Sequence, residues 1–140
     1  MKTSPWVHIV LVSLAFIGMT DSSYVALHHS QGFLIPCGFA GGCDQVLNSP
    51  YSQFLGIPLA WFGLSFYLTV AAAGLYALFG YPKLLRISLA AGAIAFPITL
   101  YLLYLQAFVI KAFCDYCLLS AALVILIFSL HCWIRPWQSV

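Results

Sequence analysis

The sequence predicts an all-α membrane protein, a four-helix transmembrane bundle with a long loop between its first and second helices. Three observations predict it. Of the 140 residues, 64% are hydrophobic and 6% charged, whereas a soluble domain carries about 25% charged residues. The apolar residues gather into four runs, each close to the ~20 residues that cross a hydrocarbon core of about 30 Å. Together the runs use most of the chain, so residues 1–140 read as a single domain immersed in the lipid bilayer. A net charge of +2 with no basic patch excludes nucleic acid as a partner.

The first run extends from about Trp6 to Leu27, after Lys2 and a Pro5 suited to a first helical turn. A cleaved signal peptide competes with an uncleaved helix here. No small-x-small cleavage site follows and further spans come later, so the uncleaved helix is preferred. Asp21 lies inside this run. Its two readings are a hydrogen-bonding or proton role near a site, and a residue near the helix end in interfacial water beside Ser22, Ser23 and Tyr24. The second is preferred, because intramembrane acids mark function but this one lies near a helix end.

Residues 28–55 form the long loop, without Lys or Arg. Glycines flank Cys37 and Cys43 and permit sharp turns. Asp44 to Ser49 reads as a short amphipathic helix on the membrane surface, stopped by Pro50. His28 and His29 read as interfacial residues rather than metal ligands, since such sites need tighter ligand pairs.

The second run, 56–79, opens with Gly56-Ile57-Pro58, and a break with Gly80, Pro82, Lys83 and Arg86 follows. The third, 84–110, carries Pro97, expected to kink it. Its Ala90-Ala91-Gly92-Ala93 patch should let a neighbouring helix approach closely. After Lys111 comes the fourth run, 113–134, ended by Arg135, Pro136 and Trp137.

Charge assigns the sides. Lys2, Lys83, Arg86 and Arg135 share one side, against Lys111 alone on the other. By the positive-inside tendency the first side, with both termini, is cytoplasmic. Cys37, Cys43, Cys114 and Cys117 then lie together on the extracytoplasmic side, where disulfides persist. Cys132 sits roughly 22 Å further along the last helix than Cys117, near the opposite face, and reads as a lone thiol packed in the bundle.

Two cysteine pairs on an oxidising side leave three readings open: structural disulfides, a four-thiolate zinc site, or a relay by thiol–disulfide exchange. The wide Cys37–Cys43 spacing disfavours zinc. A bridge within Cys114-Asp115-Tyr116-Cys117 closes a very short loop and gains little loop entropy, which favours exchange over stapling. The helix start lowers thiol pKa; Lys111 nearby favours a thiolate while Asp115 opposes it.

Cys37…Cys43 followed by Val46, Ser49 and Gly56-Ile57-Pro58-Leu59-Ala60-Trp61-Phe62-Gly63, with Tyr67 and Phe113-Cys114-Asp115-Tyr116-Cys117-Leu118-Leu119-Ser120-Ala121, resembles the vitamin K epoxide reductase family. The resemblance covers nearly the whole chain and is closest to prokaryotic single-domain members. The order of the cysteine pairs sets the chain apart from the DsbB-type proteins, which share the four-helix plan but place the Cys-x-x-Cys in the first loop. The resemblance implies a membrane thiol–disulfide oxidoreductase of the bacterial inner (plasma) membrane. Electrons would pass from a reduced thioredoxin-like or DsbA-like periplasmic partner to a quinone (ubiquinone, menaquinone or phylloquinone), supporting disulfide formation. Carried over by position, Cys37 meets the partner, Cys43 passes electrons to Cys114, and Cys117 stands beside the quinone. Ser49 matches a hydrogen-bonding Ser/Thr near the quinone, and Phe54, Phe62 and Phe66 are expected to line its ring pocket. Vertebrate members have an Asn and a Tyr where this chain has Leu59 and Ala121, which favours quinone over epoxide as acceptor. The alternatives are a vitamin K epoxide or quinone reductase serving the quinone pool, and a non-enzymatic membrane protein braced by disulfides.

Overall fold

A computed structural model describes residues 4–138, with side chains as far as Ile134; Lys2 and the side chain of Arg135, two of the charges used to assign sides, lie outside the described residues. In chain order the elements are helix α1 (Pro5–Ser30), the short helix α2 (Cys43–Leu47), strands β1 (Gln53–Phe54) and β2 (Ile57–Pro58), and helices α3 (Leu59–Leu78), α4 (Leu85–Tyr104) and α5 (Asp115–Gln138). Among the described residues, four helical segments are long and apolar enough to cross a membrane. The chain is a multi-pass membrane protein.

The helix limits follow backbone hydrogen bonding rather than hydropathy alone. α1 runs past Leu27 through His28 and His29, and stops where Gln31 N–H reaches Leu27 O at 3.1 Å and Gly32 takes φ 74°. The second run begins as an antiparallel hairpin in which Phe54 faces Ile57. Leu55 (φ 55°) and Gly56 (φ 80°) make its turn, the geometry favoured in two-residue hairpins. Helix α3 therefore starts at Leu59, not at Gly56. At the far end of α4 the chain widens into a π-helical turn over Leu105–Ile110 and reverses at Lys111, which is left-handed. α5 continues through Pro136 to Gln138 rather than ending at Arg135.

Around the bundle, α1 packs on α3, α3 on α4, α4 on α5 and α5 back on α1. Leu11, Tyr67, Val70, Leu85 and Ile127 anchor the core. The outer face is apolar too, with Phe16, Ile94, Tyr101 and Leu126 exposed, as expected where lipid is the solvent. Exposed hydroxyls find partners within their own helix. Ser13, Thr20, Ser65 and Thr69 each donate to the carbonyl four residues earlier, at 2.8–3.0 Å, because lipid offers none.

Helix approach rests on small residues, as in membrane bundles generally. A Cβ on Gly74 would come within 2.7 Å of Val12 Cγ2, and one on Gly92 within 3.2 Å of Phe128 Cδ2. At Gly18 a Cβ would collide with the Tyr67 ring. That ring is held in place, because Tyr67 is fully buried and its hydroxyl donates to Ser120 O at 3.0 Å on α5. Replacing Gly18 by Ala should therefore destabilise the bundle by about 1–3 kcal/mol, read as a lower melting temperature in detergent. A Gly18→Ala protein that melts with the parent would show that the α1–α3 contact is loose at this point.

Candidate functional site

The loop after α1 brings the first cysteine pair over the bundle's end. Cys37 and Cys43 form a disulfide with Cα atoms 5.6 Å apart, and Gly41 (φ 71°) supplies the turn between them. The two sulfurs are not equivalent. Cys43, the first residue of α2, is 1% exposed, whereas Cys37 is half-buried with exposed residues on both sides. Beyond it, α2 buries Val46 and Leu47 and exposes Asp44, Gln45 and Asn48.

The first turn of α5 holds this loop down. Asp115 accepts hydrogen bonds from the amides of Phe39 at 2.6 Å and Ala40 at 2.8 Å. Tyr116 donates through its hydroxyl to Pro36 O at 3.3 Å. A third tether is made by backbone alone, where Gly42 N–H donates to Phe113 O at 3.1 Å. Only glycine permits that approach, since a Cβ on residue 42 would lie 2.7 Å from the same carbonyl oxygen. The bonded residues, Gly42 and Phe113, are those that immediately precede Cys43 and Cys114. Cys43 and Cys114 accordingly share one buried cluster with Val25, Ile35 and Ala112.

Cys114 stands at the N-terminal boundary of α5, where its carbonyl accepts the first helical bond from Leu118 N–H at 2.9 Å. Its own N–H donates to Gln106 Oε1 at 3.1 Å. Cys114 and Cys117 are free thiols. The Cys117 thiol, hydrogen-bonded to Cys114, pulls the Cys114 thiol below its ordinary range. Burial opposes that shift, and the N–H groups of Cys117 and Tyr116 add to it. The helix start thus favours the Cys114 thiolate, and Asp115, held by the loop amides, is not among the groups that shift it.

Cys117 borders a cavity of ≈ 490 Å³, within the range of about 300–1,000 Å³ typical of small-molecule sites. Its walls come from α1, α2, α3, α4 and α5 and are largely apolar. Of the residues expected around an acceptor, Ser49, Phe62 and Phe66 line it. Ser49 keeps its hydroxyl on Val46 O at 2.7 Å. Phe54 is not part of the wall; it is largely exposed on the hairpin and meets Phe62 edge-on, with centroids 6.0 Å apart. Leu59 and Ala121 both line the cavity.

A model of the vitamin K epoxide reductase family matches residues 9–132. The chain belongs to the vitamin K epoxide reductase family. Members of this family are oxidoreductases, and the match spans every element from within α1 to within α5, with both cysteine pairs. As a member of the vitamin K epoxide reductase family, the chain is a membrane oxidoreductase with a disulfide and a free Cys-x-x-Cys at one end of its bundle.

Three residues lie elsewhere than their sequence suggests, or went unremarked in it. Asp21 is not in interfacial water. It is 9% exposed, borders the cavity, and its Oδ1 has no hydrogen-bond partner among the described residues. The helix runs on for more than two turns beyond it, which carries position 21 into the bundle. Cys132 is exposed on the outer face rather than packed inside. Gln106, which orients Cys114, carries the one amide side chain in the 84–110 run, and that is the signal by which it can be found.

The sulfur chemistry yields a titration test. With Cys37–Cys43 closed and Cys114–Cys117 reduced, in a Cys132→Ala background, ultraviolet thiolate absorbance should show a first midpoint below that of an ordinary thiol. Thiolate is favoured above that midpoint and lost as pH falls through it. Cys117→Ala removes the main donor and should shift the midpoint upward; an unchanged midpoint would contradict the assigned cause.

Proposed function

We infer that the chain relays electrons from a thioredoxin-like, DsbA-like partner through its two cysteine pairs to a quinone, and so supports disulfide formation outside the cytoplasm. The observation that supports this reading most strongly is the arrangement of the four sulfurs. The more accessible Cys37 is bridged to buried Cys43, Cys43 shares a cluster with Cys114, and Cys117 borders the cavity.

The exchange steps follow from thiolate attack on disulfide sulfur. The partner's thiolate attacks Cys37, the Cys37–Cys43 bond breaks, and Cys43 leaves as a thiolate. The partner's second thiol then releases Cys37 and closes the partner's own disulfide. Cys43 attacks Cys114 of a Cys114–Cys117 disulfide, freeing Cys117 toward the cavity. Cys37 attacks Cys43, restoring the first bridge and leaving Cys114 and Cys117 reduced. That distribution is the one described here, with the first bridge closed and the second pair open. A bound quinone supplies a sink for two electrons and two protons, and the pair closes again.

The cavity fits such an acceptor. Phe62, Phe66 and the aliphatic walls suit a planar apolar ring, and Ser49 and Gln106 provide a few polar positions. Leu59 and Ala121 offer no side-chain hydrogen bond there, which favours a plain quinone over an epoxide. The reading of the side rests on Lys83 and Arg86, which flank the α3–α4 connection at the end opposite the cysteines. It makes that end cytoplasmic and the cysteine end extracytoplasmic, in a bacterial plasma membrane. A single domain over residues 1–140 suffices for this scheme.

Trapping tests the path. In Cys37→Ser, a Cys43 thiolate can open a Cys114–Cys117 disulfide and loses release by Cys37, leaving only the return attack of Cys117, which a rapid acid quench stops. Oxidised Cys37→Ser protein should accumulate a Cys43–Cys114 bridge, visible by mass-spectrometric peptide mapping. Recovery of a Cys114–Cys117 bridge with Cys43 free would contradict transfer between these two sulfurs.

A further inference from the structure

We propose that Asp21 is the proton donor to the electron acceptor in the cavity, a role that rests on the quinone reading above. Reduction of a quinone by two thiols moves protons as well as electrons, so the site needs a group that holds a proton beside the acceptor oxygen. The cavity wall carries few groups able to do so. The Tyr67 hydroxyl already donates to Ser120 O, and the Tyr116 hydroxyl to Pro36 O. Ser49 donates to Val46 O at 2.7 Å. Tyr51 and His29 also border the cavity, but Tyr51 is exposed and His29 only half-buried.

Asp21 differs from all of these. It is more than nine-tenths buried and has a buried oxygen with no partner among the described residues. A carboxylate without a cation or donors is costly in an apolar surround, and a protonated carboxyl far less so. Acids inside membrane bundles are rare and mark functional positions, proton relays among them. Its neighbours are also the relevant ones. Asp21 shares the cavity wall with Tyr67 from α3 and with Tyr116 and Cys117 from the start of α5. Among the described α4 residues of the wall none is titratable; Ala91, Ile94 and Thr99 are typical.

The step balances as follows. The S–H bonds of Cys114 and Cys117 break, one S–S bond forms, and the electron pair goes to the acceptor. Two O–H bonds form on the quinone oxygens. Asp21 gives one of those protons and regains one from the thiol pair, ending protonated as it began. Gly63 leaves the space: its missing Cβ would stand 3.1 Å from Ser22 Oγ, next to Asp21 in the chain.

The test uses the full chain in nanodiscs with decylubiquinone and a short-chain menaquinone as probes, comparing the parent with Asp21→Asn and Asp21→Glu. Three quantities are read: quinone affinity by tryptophan quenching, the rate of quinone reduction by pre-reduced protein, and the infrared difference spectrum on reduction. Asp21→Asn should bind quinone within about twofold of the parent and reduce it about 100-fold or more slowly, the usual range for a lost general acid. Asp21→Glu should recover much of that rate. The parent should show a perturbed protonated-carboxyl stretch that Asp21→Asn lacks. Undiminished quinone reduction by Asp21→Asn, or a parent spectrum without a carboxyl band, overturns the role of Asp21 and leaves the quinone site standing. A parent protein that binds neither quinone overturns the acceptor reading itself.

Discussion

The hydrogen bond from Gly42 N–H to Phe113 O is the constraint on which the rest of the site depends. It joins the loop of the first cysteine pair to the short connection before the second, one residue short of a cysteine on each side. It is the backbone link closest to Cys43 and Cys114, which are divided in the chain by two membrane spans. A backbone bond of this kind cannot be made by any side chain, and it requires a residue without Cβ at position 42. The Asp115 and Tyr116 contacts to the loop then read as reinforcement, since they fix the same loop by side chains that can release it.

Electrostatics at the start of α5 divide the labour between its two sulfurs. Cys114 is stabilised as a thiolate by Cys117 and by amides of the first turn. Cys117 borders the cavity, one helical turn further on. The carboxylate between them, Asp115, would work against a thiolate if it were free. Instead it satisfies two amides of the opposite loop, so one acid serves docking while leaving the sulfur chemistry undisturbed. Gln106 completes the arrangement from α4 by holding the Cys114 amide, and the π-helical turn brings its side chain to that position.

Much of this was legible in the sequence because membrane spans depend on composition and length. The four spans, their order and the two cysteine pairs at one end followed from hydropathy and charge, and the family resemblance came from spaced motifs such as Gly56-Ile57-Pro58-Leu59-Ala60-Trp61-Phe62-Gly63. The hairpin at Gln53–Pro58 was hidden, because Leu55 in a left-handed turn has no local sequence signal. Asp21 was misread since hydropathy gives depth along a helix but not which face meets the bundle. Cys132 shows the converse: nothing at that position announces that it points outward. The tethers from Asp115 to Phe39 and Ala40 span most of the chain, and such pairings arise only once the helices have packed.

The central claim is a direction, from the loop pair through Cys114 to an acceptor beside Cys117. Fully reduced protein, mixed anaerobically with one equivalent of quinone and quenched with an alkylating agent at increasing times, measures it most directly. The relay predicts that the Cys114–Cys117 bridge forms first, and that Cys37–Cys43 closes later at its expense. A Cys37–Cys43 bridge that forms before or independently of Cys114–Cys117 would contradict the account.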